Sequence, residues 1–198
     1  MEKLVRFAEF SIRSKEEEEK ESRHVDGIAV VFNQPTDLGW FTEEIDKDAF
    51  ASAKMDDVVL NFNHDDSLLL AGTRNGSLQL DINEDGMPIS ADIVETTTGN
   101  DVLKLVKEGL INKMSFAFTV DYDDPDAIEW VEEKDKKSHR IVRKIDRLFD
   151  VSLVTFPAYE QTSASARAMA DDISAKEHKA MLERRAEQTK RMEELFNG

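Results

Sequence analysis

The sequence predicts a mainly β fold with flanking helices, in the α+β class, followed by a long charged helix. Short apolar runs alternate with polar residues through most of positions 1–161, and turn-forming triplets separate several of these runs. Residues 171–196 are instead rich in Ala, Glu, Lys and Arg, without Gly or Pro. A period of two indicates strands, and short strands at this spacing are typical of a barrel or a sandwich.

Nine segments are predicted strands. The first two are joined by a charged stretch at 14–23, where four consecutive glutamates favour a solvated loop. Asn75-Gly76 and Asp85-Gly86 are hairpin-type turn signals. The predicted strands cover residues 3–13, 26–32, 57–64, 77–83, 89–95, 111–122, 127–132, 139–145 and 148–156.

One helix is predicted within the β region, at residues 99–108. Thr98 is a suitable N-cap, Asp101 suits the positive end of the helix dipole, and Gly109 is expected to end the helix. A shorter helix is expected at 46–53.

Three parts are expected along the chain. Residues 1–161 form the β domain, 162–170 form a linker of small residues, and 171–198 form a charged helix. The apolar stripe of this last helix is thin, which favours a helix that extends from the body or meets a partner.

Composition excludes several classes of function. The net charge of −16 argues against a protein that grips nucleic acid, because phosphate binding needs clustered Lys and Arg. The chain has no cysteine, which excludes thiolate catalysis and cysteine-based zinc sites. No apolar run is long enough to span a membrane, and the first residues lack the apolar core of a secretory signal. We therefore expect synthesis in the cytoplasm, with no membrane association.

Three polar residues lie in or at the end of apolar runs, and together they form the parts of an activated nucleophile. Ser115 shares a strand face with Ala117 and Thr119, away from the large apolar side chains of its strand. His64 is expected at the end of a strand. Asp150 is expected within the last strand, on the same face as Leu148. In such a set the histidine takes the hydroxyl proton, and the carboxylate orients the imidazole.

Other interpretations of these residues stay open on the sequence alone. Ser152 is a rival serine in the Asp150 strand, and a strand serine is more often a structural residue than a nucleophile. A metal site at His64-Asp65-Asp66 is disfavoured because adjacent strand residues point apart and no second histidine has ligand spacing. An α/β-hydrolase is disfavoured because the chain has no Gly-x-Ser-x-Gly motif.

The order of several segments resembles the phage prohead proteases, the capsid-maturation serine proteases related to the herpesvirus assemblins. The likeness includes Asn63-His64-Asp65, Met114-Ser115-Phe116 and the segment from Asp150 to Tyr159. It covers about residues 1–167. The remaining matching segments are 27–33, 37–43, 49–50, 71–74 and 109–111.

The resemblance implies a small closed β-barrel flanked by helices. It implies His64 as general base and Ser115 as nucleophile, with Asp150 at a third position where the family usually has glutamate. Oxyanion donors would be backbone amides, for which the turn at 72–74 is a candidate. We expect no cofactor and no metal.

The implied role is processing of the major capsid protein precursor and its scaffold segment inside the assembling procapsid, in the host cytoplasm. Self-trimming within 162–170 and a homo-oligomer are compatible with this role. The alternative is a non-enzymatic capsid assembly or scaffold component, which would not need Ser115 and His64 to converge.

Overall fold

A computed structural model describes residues 3–8, 23–132 and 137–155. This part of the chain contains twelve β-strands and one α-helix, α1 (Thr97–Lys107). The strands are β1 (Leu4–Ala8), β2 (His24–Val31), β3 (Thr36–Asp37), β4 (Phe41–Ile45), β5 (Val59–Phe62), β6 (Asp65–Gly72), β7 (Leu78–Leu80), β8 (Gly86–Asp92), β9 (Lys113–Thr119), β10 (Ile128–Val131), β11 (Ser138–Val142) and β12 (Arg147–Val154).

The strands form three sheets rather than the closed barrel with flanking helices that the sequence predicted. The strand orders are β1-β9-β12-β5-β6, β10-β11-β4-β3 and β2-β8-β7. The five-stranded sheet ends at β1 and at β6, and these two strands do not pair with each other. Within the described ranges α1 is the single α-helix. The closed-barrel prediction is therefore wrong.

The three-stranded sheet approaches the five-stranded sheet closely at one glycine. A Cβ added at Gly27 of β2 would lie 2.5 Å from Met114 Sδ of β9, a distance that Cβ contacts do not reach. The missing side chain lets β2 lie against the apolar side of β9 while its hydrogen bonds go to β8. The three-stranded sheet therefore packs on the five-stranded sheet and does not extend it.

One hydrophobic core joins the three sheets and the helix. The rings of Phe116 and Phe118 in β9 stack with 5.3 Å between their centroids, and both side chains are buried. Burying a phenylalanine contributes about 1.5–3 kcal/mol. The core therefore fixes which face of β9 turns inward. Other members are Val25, Val30, Leu60, Leu70, Met87, Met114, Leu148 and Leu153.

A buried ion cluster joins β1 to the four-stranded sheet. Glu43 of β4 accepts hydrogen bonds from Arg6 of β1 and Arg140 of β11, and all three side chains are buried. Burial opposes the ionisation of Glu43, but the two guanidinium groups outweigh it and hold its pKa below the usual value. β1 is thus held both by its pairing with β9 and by this cluster.

The helix α1 begins two residues earlier than predicted. Thr96, rather than Thr98, is the N-cap, and its Oγ1 accepts a hydrogen bond from Gly99 N at 3.0 Å. Asp101 consequently lies beyond the first turn and not at the N-terminal end. The predicted end is confirmed, because Gly109 directly follows the C-cap with φ of 72°, a conformation that L side chains rarely adopt.

The helix expected at residues 46–53 is absent, and three strands were not predicted. Residues 46–53 form successive turns, because the amides of Ala49 and Ala51 bond to carbonyls three residues back. The strands β3, β4 and β6 were not predicted, because residues 36–45 and 65–72 carry charged side chains that interrupt the apolar alternation.

No helix among the described residues is long and apolar enough to cross a membrane. The boundary expected at residue 161, the linker expected at 162–170 and the helix expected at 171–198 lie outside the described residues.

Candidate active site

The hairpin between β5 and β6 carries His64 at its tip. Its two-residue turn consists of Asn63 and His64, with φ angles of 55° and 57°. Positive φ at both central residues is the requirement of a type I′ turn, in which Asn is favoured. Asn63 N donates to Leu153 O, and Asn63 Oδ1 accepts from Thr155 N, each at 3.0 Å. The turn is thereby fixed to the end of β12, and His64 is not the strand residue that we expected.

Ser115 lies within the five-stranded sheet on the face that the alternation of β9 predicted. Phe116 and Phe118 belong to the core, so Ser115 and Ala117 share the opposite face. The register partner of Ser115 in β12 is Ser152. Ser115 is fully buried.

Asp150 reaches the same face through a β-bulge. Leu148 pairs with Phe118 and Asp150 pairs with Ala117, so two steps along β12 match one step along β9. A bulge of this kind changes the phase of the side chains. Strict alternation predicted that Asp150 shares a face with Leu148, which is buried in the core. The bulge instead turns Asp150 towards Ser115.

The three predicted site residues meet around the imidazole ring of His64. Its Nε2 lies 2.5 Å from Ser115 Oγ, and its Nδ1 lies 2.5 Å from Asp150 Oδ1. The His64 side chain is 15% exposed, whereas that of Asp150 is 1% exposed, so only the ring borders solvent. Ser115 Oγ also lies 2.5 Å from Arg6 O of β1, a second acceptor for its single proton.

This geometry sets the direction of proton transfer. An ionised carboxylate only accepts hydrogen bonds, so Asp150 selects the tautomer in which Nδ1 carries the proton. The other nitrogen, Nε2, is then left as the base that faces Ser115 Oγ. An imidazole held in this way can withdraw the hydroxyl proton while the carboxylate stabilises the charge that forms on the ring.

Lys3, the residue directly before β1, is a member of the site that the sequence gave no reason to expect. Its Nζ lies 2.6 Å from Asp150 Oδ2, the oxygen that His64 does not contact. Burial opposes the ionisation of Asp150, but the hydrogen bond with His64 and the ion pair with Lys3 outweigh it. The pKa of Asp150 therefore lies below its usual value, and the carboxylate is charged at neutral pH.

Ser152, the rival serine, lies on the far side of the ring from Ser115. Its Oγ is 3.2 Å from His64 Nδ1 and 3.3 Å from Asp150 Oδ1, and it donates to Asn61 Oδ1. Both Ser152 and Asn61 are fully buried. The parallel pairing of β12 with β5 brings these two residues together, and this pairing cannot be seen in the sequence.

The remaining polar candidates do not join the site. The amides of Gly72 and Thr73 donate to Ser77 Oγ and Val58 O, so the turn at 72–74 does not offer these two amides to an oxyanion. Asp65 is exposed and accepts hydrogen bonds from Ser67. The described ranges hold no group of three or more residues suited to binding a metal ion.

Comparison with known proteins adds a family and a similar solved structure to this geometry. A family model described as caudovirus prohead serine protease matches residues 8–181. A solved structure of the capsid assembly protease of bacteriophage T4 covers 77% of this chain and 96% of its own, with a TM-score of 0.51 and 11% sequence identity. At that identity the likeness shows a shared fold. No curated protein matches the chain.

Proposed function

Since this chain belongs to the caudovirus prohead serine protease family, we propose that it is a serine endopeptidase with Ser115 as nucleophile, His64 as general base and Asp150 as the orienting acid. The observation that carries the proposal is the 2.5 Å contact between His64 Nε2 and Ser115 Oγ, backed by Asp150 on the other ring nitrogen. A non-enzymatic scaffold component has no need for this convergence of three distant segments.

The reaction follows from the positions of the protons. His64 Nε2 removes the Ser115 proton while Oγ attacks the scissile carbonyl carbon, and the negative charge passes to the carbonyl oxygen. The imidazolium then donates its Nε2 proton to the leaving amine as the C–N bond breaks. Water, deprotonated by the same nitrogen, hydrolyses the acyl-enzyme and restores Ser115. Throughout the cycle Asp150 stays ionised and holds the ring by Nδ1.

Substrate entry requires a local displacement around Ser115. Its side chain is fully buried, and Arg6 O of the neighbouring strand contacts Oγ. A scissile carbonyl carbon must approach Oγ from a side that is covered in this state. A displacement of β1 would remove the Arg6 acceptor and leave the hydroxyl proton to His64.

We assign the substrate as the precursor of the major capsid protein and its scaffold segment, within the assembling procapsid in the host cytoplasm. Support comes from the family, which is described as acting in the prohead, and from the similar T4 protein, which is a capsid assembly protease. Self-trimming within residues 162–170 belongs to the same proposal, because small side chains suit binding of a chain in extended form.

The test is incubation of the purified full chain with purified capsid protein precursor from the same virus, followed by mapping of new termini by mass spectrometry. We expect the wild-type chain to cut the precursor and, more slowly, itself between residues 162 and 170. Ser115→Ala should do neither, while its melting temperature stays close to that of the wild type because one buried hydroxyl is removed from a strand.

A fluorophosphonate probe identifies the nucleophile independently of the substrate. It should label Ser115 in the wild-type chain, and the modified peptide should be found in a digest. A Ser115→Ala variant that still cuts the precursor, or a label located on Ser152, would show that the nucleophile is misassigned. An unlabelled, inactive wild-type chain would support the non-enzymatic role.

A further inference from the structure

A second buried serine holds the main chain of His64. His64 N donates a hydrogen bond to Ser152 Oγ at 3.0 Å, and Ser152 Oγ donates to Asn61 Oδ1. The hydroxyl therefore accepts from the backbone of the residue whose ring contacts Ser115. Both Ser152 and Asn61 are 0% exposed, so water does not compete for these bonds.

His64 needs such support because of its backbone conformation. Its φ of 57° lies in the left-handed region, which a side chain with a Cβ disfavours. His64 is the second residue of a two-residue hairpin turn, so a shift of its own peptide group moves the whole imidazole ring. A ring that must contact Ser115 on one side and Asp150 on the other tolerates little of this motion.

The direction of the Ser152 hydrogen bond excludes it as a second nucleophile. Ser152 Oγ faces His64 Nδ1, the nitrogen that carries the proton towards Asp150, and not Nε2. Its own proton is directed at Asn61 Oδ1. The basic nitrogen, Nε2, faces Ser115 and not Ser152, whose lone pair is turned towards His64 N.

We propose that Ser152 is a positioning residue: its hydroxyl, oriented by Asn61, fixes the backbone of His64 so that the ring bridges Asp150 and Ser115. This proposal rests on the proposed function. Asn61 supports it with its second polar atom, because Nδ2 is buried and has no hydrogen-bond partner among the residues that the structure describes. A fully buried amide that satisfies only its oxygen is explained if that oxygen serves to orient Ser152.

The experiment measures the rate at which a fluorophosphonate inactivates the full chain, as a function of pH. We expect Ser152→Ala to lower the limiting rate about tenfold and to move the pH midpoint of inactivation, because the ring is no longer held against Ser115. Ser152→Thr keeps the hydroxyl and should restore the rate to within about threefold. Asn61→Ala should lower the rate in the same direction as Ser152→Ala.

Ser90→Ala is the matched control. Ser90 is also a strand serine, and its Oγ lies 3.2 Å from a histidine ring, that of His24 in the three-stranded sheet. This variant should react like the wild type. The proton resonance of His64 Nδ1–H gives a second measurement, which should broaden in Ser152→Ala and stay sharp in Ser90→Ala.

The outcomes separate this proposal from the proposed function. If Ser115→Ala is unreactive and Ser152→Ala matches the wild type in rate and pH midpoint, the positioning role is overturned while the nucleophile stands. A Ser152→Ala variant with a lower melting temperature but an unchanged rate would also overturn it, because its effect would be structural only. If Ser115→Ala reacts at the wild-type rate, the proposed function itself fails.

Discussion

Lys3 Nζ lies 2.6 Å from Asp150 Oδ2, so the buried carboxylate has a cationic partner in the residue directly before β1 as well as a hydrogen bond with His64. Lys3 is 37% exposed and Asp150 is 1% exposed. The pair therefore combines a solvated cation with an anion that would be costly to bury alone. The residue directly before β1 is therefore part of the electrostatics of the candidate site.

The first prediction concerns the pH dependence of stability in Lys3→Met. A carboxyl with a lowered pKa in the folded state stabilises the protein above its unfolded pKa of about 3.9, and this stabilisation is lost as pH falls through the folded pKa. Removing Lys3 raises the folded pKa of Asp150. Lys3→Met should thus be less stable at pH 7, by under about 1 kcal/mol since Lys3 is partly exposed. Urea unfolding should show this difference shrinking towards pH 3.

The control for Lys3 is Lys54→Met, which removes an exposed ion pair with Asp146. Asp150 loses its lysine partner in Lys3→Met, and Asp146 loses its own in Lys54→Met. Asp146 is 22% exposed, so it stays solvated. The stability of Lys54→Met should change less than that of Lys3→Met. A Lys3→Met variant that differs equally from the wild type at pH 7 and at pH 3 would contradict the coupling to Asp150.

The second prediction concerns the charge of Asp150. Asp150→Asn keeps the shape of the side chain but no longer stabilises the imidazolium or selects its tautomer, so the fluorophosphonate reaction should slow by about 10²–10⁴. In a double variant with Ser115→Ala, the Asp150→Asn substitution should lower peptide cleavage little further. The reason is that the effects of substitutions within one catalytic triad do not add. Asp26→Asn, beside His24, is the control. A near-normal rate for Asp150→Asn would assign the acid to another residue or indicate a serine–histidine dyad.

The sequence predicted the three candidate residues but not how they meet. The face of Ser115 was predicted correctly because β9 is regular over its full length. The prediction that Asp150 shares a face with Leu148 was wrong, because a β-bulge leaves no signature in the alternation of apolar residues. The turn at His64 was missed because its two positive φ angles occur without a glycine.

The fold could be predicted only to the level of strands. Alternation identifies strands without saying which ones pair, and the parallel pairing of β11 with β4 joins segments far apart in the chain. Glu43 shows a second limit. A buried glutamate argues against a strand in the core until Arg6 and Arg140 are known to neutralise it. Those contacts exist only after three segments have assembled.

The third prediction concerns the turn that carries His64. Asn63→Ala removes the acceptor for Thr155 N and a side chain that tolerates positive φ. It should reduce the free energy of unfolding by about 1–3 kcal/mol and lower the fluorophosphonate rate. Glycine adopts a positive φ without strain, so Asn63→Gly recovers the backbone part of this loss. Its stability should lie between that of the wild type and that of Asn63→Ala.

Asn33 is the control for this turn, since its φ is 54° and it lies outside the site. Asn33→Ala should lose stability through the same backbone effect while each folded molecule keeps the wild-type reaction rate. If Asn63→Ala loses stability without any loss of rate, the turn does not determine the position of His64.

The last prediction concerns the buried cluster around Glu43. Glu43→Gln removes the negative charge to which both Arg6 and Arg140 donate, and breaking a buried ion pair in this way costs about 3–5 kcal/mol. The neighbouring Glu44→Gln, whose carboxylate lies 3.4 Å from His139 Nε2, should cost under about 1 kcal/mol in the same urea titration. Because Arg6 lies in the strand that contacts Ser115 and that directly follows Lys3, Glu43→Gln should also alter the fluorophosphonate rate, whereas Glu44→Gln should not. Equal stability of the two variants would show that Glu43 does not anchor β1.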